Sequence, residues 1–343
     1  MPSWAKYSLL FLLLTIPEGA AASEGHGLSY VTWLTVAAIL VAAKIGAELS
    51  LRLKQPPVLG EIFAGIVLGN LHLVGIDVFG DVAHAPSIEF LAEFGVILLL
   101  FEVGLESTLV EMKRVAPQSG LVAILGVIAP MALGYLSSAL LLPDAPQSLH
   151  LFVGATLCAT SVGITARVLQ DLGAMGRSET KVILGAAVID DVLGLIVLAI
   201  VTAIAETGAP SAMEVASIVM LAVFFLVGAV ALGAFVMPGF FRASSKLRAP
   251  GVLAAVSIGL CLALAGLSAL MGLAAIVGAF AAGLILDEVH VQPFGKTSKH
   301  DLSSLVQPIV MVVAPVFFVR TGMLVQLGGV DGTALLLAAA LSV

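Results

Sequence analysis

Val182-Ile183-Leu184-Gly185-Ala186-Ala187-Val188-Ile189-Asp190-Asp191-Val192-Leu193-Gly194-Leu195-Ile196-Val197-Leu198-Ala199-Ile200-Val201 sets the class of fold. Apart from the two aspartates, every residue in it is apolar or glycine. As a helix it would be about 30 Å long, the thickness of a bilayer's hydrocarbon core. The two carboxylates then fall near the middle, about ten residues from Lys181 and about 13 from the far end of the apolar run. Insertion of one Asp at a helix centre costs roughly 2.5 to 3.5 kcal/mol. An adjacent pair costs more, because like charges a few ångströms apart resist joint ionisation. The Asp side chain is too short to reach either interface. Consecutive helix positions point about 100° apart, so one aspartate can face a water-filled cavity while the other faces a neighbouring helix. Burial as a neutral pair would leave them as packing glue; an ion or proton site explains their cost better.

The rest of the chain has the same character. Of 343 residues, 60% are hydrophobic and 11% charged, against about 25% charged in a soluble domain. The mean hydropathy is +1.15. This predicts an all-α polytopic membrane protein. A net charge of -7 excludes the basic stripe of a nucleic-acid binder. Cys158 and Cys261 both lie in apolar segments, with no disulfide framework or zinc spacing. Gly295-Lys296-Thr297 resembles a phosphate loop, but His290 stands where its first glycine belongs. No cofactor is expected.

Ten apolar segments are long enough to be read as spans: about 29–51, 57–74, 88–106, 119–142, 149–169, 180–204, 214–238, 250–271, 272–287 and 303–325. An eleventh begins near Gly332 and reaches Val343, too short to cross, so it reads as truncated. Lys6, the apolar run Tyr7 to Ile16 and Ala20-Ala21-Ala22-Ser23 resemble a secretory signal peptide over 1–22. Arg52, Lys54, Lys113, Arg114, Arg167, Arg177, Lys181, Arg242, Lys246, Arg248, Lys296 and Lys299 fall in alternate connections, and the other connections carry no Lys or Arg. The positive-inside rule puts the basic connections in the cytoplasm and the mature N-terminus outside.

The chain also repeats itself. Gly60, Ala64, Gly65 and Leu68 match Gly278, Ala282, Gly283 and Leu286 at an offset of 218, and the same offset sets Glu102-Val103-Gly104 beside Arg320-Thr321-Gly322. By the charge count the matching segments run in opposite directions, the inverted-repeat plan of many secondary transporters. The expected organisation is a first repeat over 29–204, a linker helix over 214–238 and a second, truncated repeat over 250–343.

The fifth segment concentrates small and hydroxylated residues at its middle: Cys158-Ala159-Thr160-Ser161-Val162-Gly163-Ile164-Thr165. Such a segment is either a tightly packed helix interface or a helix broken at the midplane, where freed carbonyls and hydroxyls bind a cation. Lys44 lies near the cytoplasmic end of its segment and is expected to snorkel. Glu102 and Arg320, mirrored by the repeat, are candidates for gating or structural charges. The histidines all fall in or near connections, so none stands out as a ligand.

Ala159-Thr160-Ser161-Val162-Gly163-Ile164-Thr165, Ile189-Asp190-Asp191, Gln55-Pro56-Pro57-Val58-Leu59-Gly60-Glu61 and Pro315-Val316-Phe317-Phe318-Val319-Arg320-Thr321-Gly322 closely resemble the bacterial monovalent cation:proton antiporters of the sodium/hydrogen exchanger superfamily. The nearest branch is the Nap-type group with the double aspartate. The resemblance covers about residue 30 to 343. It implies thirteen helices, a dimerisation domain, a mobile core domain and a homodimer in the bacterial cytoplasmic membrane. Asp191 is implied as the main ligand of a monovalent cation, with Thr160 and Ser161 beside it. Asp190 is implied to pair with a lysine of helix 11, beyond Val343. The substrates would be Na⁺ or Li⁺ and H⁺. Two other readings remain. A Kef-type K⁺/H⁺ antiporter commonly has Gln-Asp in place of Asp-Asp, and an intramembrane aspartyl protease brings one Asp from each of two helices together.

Overall fold

Continuous apolar sequence forms helices here because only a helix satisfies its own backbone polar groups without water. The computed structural model describes residues 30–75, 79, 82–207, 212–247, 249–286 and 299–328. The signal-peptide reading and the eleventh segment lie outside these residues. The described elements are α1 (Tyr30–Arg52), α2 (Pro57–Gly69), α3 (Pro86–Leu105), α4 (Leu109–Leu141), α5 (Gln147–Cys158), α6 (Val162–Asp171), α7 (Ser178–Thr207), α8 (Ala212–Ala231), α9 (Met237–Ser244), α10 (Val252–Leu270), α11 (Ala275–Ile285) and α12 (Lys299–Met323). No strand occurs among the described residues. Among the described residues, seven spans are long and apolar enough to cross a membrane. α2 and α11 are apolar but shorter, with 13 and 11 residues, about 20 and 16 Å at the helical rise.

Two helices run past the boundaries read from sequence. α4 starts ten residues before the expected 119, because Thr108 caps it: the Thr108 hydroxyl accepts from the Glu111 N–H at 3.3 Å and donates to the Glu111 carboxylate at 3.0 Å. This Thr-x-x-Glu pairing satisfies donors at the helix start, and the helix then continues through Pro117 and Pro130. The segment expected to end near 238 continues to Ser244 through a π-helical turn at Leu232–Val236. The Met237 N–H closes this wider turn on the Leu232 carbonyl, just before Pro238, which has no N–H to donate.

The helices divide between two compact units. One holds α1, α2, the start of α3 up to Ala92 and α12 from Pro315. Its core gathers Ile39, Ala43, Ala83, Ile88, Ala92, Val316, Val319 and Met323. Arg320, inside α12, donates through Nε to the Ala83 carbonyl and through Nη2 to Glu89, both at 2.8 Å. Asn70, closing α2, donates to the carbonyls of Ile66 at 2.9 Å and Val325 at 2.7 Å, and its Oδ1 accepts from the Leu327 N–H at 2.8 Å. Arg320 and Asn70 thus tie the end of α12 to α2 and to the chain entering α3.

The other unit holds the rest of α3, α4 to α11 and α12 up to Ala314. Ala222, Phe225 and Ala229 of α8 pack on Leu273, Val277 and Ala281, with Val188, Val192 and Leu195 of α7 against them. A second stretch of α7 meets α4, where the Ser119 hydroxyl donates to the Val182 carbonyl at 3.1 Å and a methyl on Gly185 would strike Ser119. Large apolar side chains such as Ile45, Leu125, Ile128, Phe224 and Val227 are exposed, as suits surfaces solvated by lipid.

Glycines set how closely the helices approach, and their contacts repeat with the sequence. In the first unit, a methyl on Gly60 would collide with the Gly46 carbonyl, one on Gly65 with the Val319 carbonyl and one on Gly322 with the Ile62 carbonyl. In the second unit, a methyl on Gly278 would collide with the Leu264 carbonyl, one on Gly283 with the Phe101 carbonyl and one on Gly104 with the Phe280 carbonyl. Each second contact is the first with 218 added to one partner and added to or subtracted from the other. Gly95 meets the carbonyl of Val313, its own counterpart. Backbones in van der Waals contact are the main source of helix adhesion where lipid is as apolar as the side chains.

Gly65→Ala and Gly283→Ala each put a methyl against a carbonyl with no room to yield, and overpacking of this kind costs about 1 to 3 kcal/mol. Both should lower the melting temperature of the detergent-purified protein. Gly120→Ala, where nothing lies within 4 Å, should leave it unchanged or raise it slightly. Equal melting temperatures for all three variants would refute the packing account.

Candidate ion site

The segment around Thr160 is a helix interrupted. α5 ends at Cys158, the backbone is extended at Ala159 (φ -67°, ψ 116°) and Ser161 (φ -82°, ψ 99°), and α6 begins at Val162. Thr, Ser and Gly weaken a helix here, and Ser161 supplies the restart: its hydroxyl accepts from the Ile164 N–H at 3.3 Å. The interruption leaves the last carbonyls of α5 and the first amides of α6 without helical partners. The carbonyl end of one half-helix and the amide end of the other thereby face a single point, with opposite partial charges. Ala159, Thr160 and Ser161 are exposed.

Asp190 is brought to this break. It is 7% exposed, and Thr160 is its neighbour, with the Thr160 hydroxyl donating to the Cys158 carbonyl at 3.5 Å. Cys158 lies close enough to feel the same carboxylate, although its thiol donates to the carbonyls of Val127 at 3.3 Å and Gly154 at 3.2 Å. Asp191 is half-buried. Asp190 Oδ1 and Asp191 Oδ2 are both buried with no hydrogen-bond partner in the described structure. Buried carboxylate oxygens are normally satisfied, so two of them side by side offer ligands to a cation or acceptors for protons. An intramembrane protease needs its two aspartates on separate helices facing each other. Here both belong to α7.

Thr160 and Asp190 are therefore neighbours, Asp191 is the next residue of α7, and Ser161 is engaged as the cap of α6. Glu102 and Arg320 have separate partners. Glu102 is 1% exposed, its Oε1 is buried without a hydrogen-bond partner among the described residues, and Gln170 and Arg167 of α6 and Glu106 are its polar neighbours. Arg320 holds Ala83 and Glu89. The Lys44 ammonium is more than half exposed but lies 4.0 Å from Glu61, which is buried. His150, read from sequence as lying near a connection, sits inside α5, buried, with its Nδ1 2.8 Å from the Ser138 hydroxyl and Tyr135 edge-on to its ring. Gln170 and His150 carried no signal in the sequence, since their partners are on other helices. Both cysteines are free.

Comparison with known proteins agrees with this architecture. The family described as "Sodium/hydrogen exchanger, transmembrane" matches residues 35–343. The high-affinity Na⁺/H⁺ antiporter NhaS3 of Synechocystis sp. is 35% identical over 317 residues, covering 84% of this chain and 67% of that protein. The Na⁺/H⁺-K⁺ antiporter GerN of Bacillus cereus is 33% identical, covering 86% of this chain and 72% of that one. Among solved structures, the sodium proton antiporter MjNhaP1 of Methanocaldococcus jannaschii at pH 8 superposes with a TM-score of 0.58 at 15% identity, covering 86% of this chain and 71% of that chain. That likeness is one of fold. With a family match across nearly all of its length and relatives above 30% identity, this multi-pass membrane chain belongs to the sodium/hydrogen exchanger family.

Proposed function

We propose that the protein is a secondary active antiporter exchanging Na⁺, or Li⁺, for H⁺ across the bacterial cytoplasmic membrane. One observation carries this reading: two carboxylates in the middle of an apolar helix, with buried oxygens lacking partners, stand against an interrupted helix whose Thr160 neighbours Asp190. Asp191 is the main cation and proton ligand, with Asp190 and Thr160 completing the site and Ser161 holding the start of α6. The antiporter names of the bacterial relatives support the substrates. Because GerN is named for K⁺ as well as Na⁺, K⁺ is the second cation to test.

The same reading takes residues 29–204 and 250–343 as inverted repeats joined by a linker helix over 214–238, supported by the glycine contacts shared at the offset of 218. It takes the basic connections as cytoplasmic, the N-terminus as external and the working form as a homodimer. Exchange proceeds by alternating access, with protons and cation competing for the aspartates.

Asp191→Asn removes the anionic ligand and should abolish cation-dependent proton flux in everted vesicles. Flux above about a tenth of wild type, a barrier change of only about 1.4 kcal/mol, would remove Asp191 from the central role. Thr160→Val should weaken apparent cation affinity more than it lowers the maximal rate. An unchanged cation dependence at normal expression would show that the break does not touch the ion.

The charge balance is a separate test. Two carboxylates at one site can release two protons as one monovalent cation enters, so each cycle moves one net charge. The membrane potential contributes about 2.3 kcal/mol per charge per 100 mV. Proteoliposomes without a pH gradient should then show potential-driven Na⁺ transport that stops when valinomycin and potassium clamp the voltage to zero. Indifference to voltage would establish one-for-one exchange.

A further inference from the structure

α5, the half-helix that runs into the break, buries a single stripe: His150, Gly154 and Cys158. These residues are four apart and so share one face, and that face lies on α4. Gly154 sits in the middle, where a methyl would collide with the Met131 carbonyl, and a methyl on Gly134 would collide with Gly154 in turn. Side chains tie the two ends. The Cys158 thiol donates to the Val127 carbonyl at 3.3 Å, and His150 Nδ1 lies 2.8 Å from the Ser138 hydroxyl. Tyr135 stands edge-on to the imidazole, with ring centroids 5.8 Å apart. His150 is 6% exposed and Ser138 is fully buried.

The three contacts do different things. Backbone against backbone at Gly154 fixes the distance between the two helices but not the angle at which α5 lies on α4. A thiol is a weak donor, and Cys158 also turns it to the Gly154 carbonyl at 3.2 Å. The bond between His150 and Ser138 is thus the firm tie, and it sits at the end of α5 away from the break. α5 has 12 residues, about 18 Å at the helical rise, and its internal hydrogen bonds make it a rod. Gly154 lies midway between His150 and Cys158, which makes it the pivot. Release of the first turn tilts the last one, and with it the carbonyls that face the break.

The same tie answers to protons. Histidine is the side chain whose ordinary titration falls between about pH 5 and 8. A neutral imidazole has one donor and one acceptor, and the Ser138 hydroxyl can turn to suit either. An imidazolium has two donors and a positive charge. Little stands by to meet that charge. α4 contributes Tyr135 to this end, and the other titratable group of α5 is Cys158, two turns away. α7 packs on both helices; it carries Asp190 and Asp191 at its middle and no charged residue from Val192 to Ala205. Asp144, the only Asp, Glu, Lys or Arg between Arg114 and Arg167, is exposed in the connection from α4 to α5. A charged His150 is therefore better solvated by water at the end of the helix than held against Ser138.

We propose that His150 is a pH-responsive positioning residue for the cation site. Neutral, it holds α5 in register on Ser138 and keeps the break in its cation-binding shape. Protonated, it lets the half-helix tilt and lowers cation affinity. His150 touches neither the cation nor the aspartates in this account. The proposal rests on the reading of Asp190, Asp191 and the break as the exchange site.

Na⁺ binding to the purified full chain tests it, followed as the Na⁺-dependent rise in melting temperature, beside Na⁺/H⁺ exchange in everted vesicles. His150→Asn places a side-chain amide where Nδ1 was and cannot be protonated. It should bind Na⁺ like wild type at about pH 8.5, and about fivefold more tightly than wild type at about pH 6, the low end of coupling between linked sites. A residue that only packs would change binding alike at both pH values. Proton competition at the aspartates is common to both proteins and cancels in the comparison. Ser138→Ala and His150→Ala should each weaken binding several-fold at about pH 8.5, on the order of one hydrogen bond. The double variant should bind no more weakly than His150→Ala, because both changes remove the same contact. A His150→Asn protein with the wild-type pH dependence, or alanine variants that bind like wild type at alkaline pH, overturn the proposal. If His150→Ala does not accumulate in membranes, His150→Asn and Ser138→Ala decide the matter by the same criteria. A wild-type protein whose melting temperature ignores Na⁺ refutes the site and this proposal with it. One that binds Na⁺ but exchanges none refutes antiport and leaves the positioning result standing.

Discussion

The constraint on which this structure turns is the pair of carboxylates in the middle of α7. Charges at that depth are tolerated only where protein or water meets them, and the faces of α7 are sorted accordingly. Val188, Val192 and Leu195 take the apolar contact with α8 and α11. Val182 and Gly185 take the contact with α4, where Ser119 closes on the backbone. Asp190 is left facing the interrupted helix, where Thr160 neighbours it. Irregular backbone at membrane depth is otherwise forbidden, so the break between α5 and α6 and the aspartates of α7 account for each other.

The rest of the fold makes that meeting possible by close approach. Ordinary side chains hold helix axes 8 to 10 Å apart. The glycines at 46, 60, 65, 104, 278, 283 and 322 place backbone directly against backbone. Adhesion in lipid comes from such contacts and from interhelical hydrogen bonds, and the structure uses both. Asn70 and Arg320 clamp the end of α12 to its neighbours, while Ser138 and His150 join α4 to α5. That the glycine contacts recur at the offset of the sequence repeat means the repeat is one of packing as well as of composition. It also gives a reason for the brevity of α2 and α11, whose helical stretches begin 218 positions apart, at Pro57 and Ala275.

Where sequence and structure part, the cause is a local rule outweighed or a partner out of reach. The basic stretch before 119 looks like a connection because Lys113 and Arg114 are charged and Pro117 follows. The Thr108–Glu111 cap was there to be read and starts the helix earlier. Pro238 looks like a terminator until the π-helical turn absorbs it. Glu102 and Arg320 look like a mirrored pair because the offset aligns them, yet each has its own neighbours: Gln170 beside one, the Ala83 carbonyl and Glu89 bonded to the other.

By itself the sequence determined that the chain is helical and membrane-embedded and that Asp190 and Asp191 fall in the middle of an apolar run, and it left the segment around Thr160 as either a packed helix or a broken one. Hydrophobic run length, charge position and helix propensity are local quantities, and they survive in a one-dimensional string. The tertiary structure alone decided that the break lies beside Asp190, that Ser161 serves as a cap, that Gln170 neighbours Glu102 and that His150 meets Ser138. Apart from the Ser161 cap, which joins it to Ile164 three positions on, those pairings join residues on different helices, 12 positions apart for Ser138 and His150 and further for the others. No spacing rule encodes which faces of two helices will meet. That depends on where a missing side chain, such as Gly185 opposite Ser119, lets the helices close.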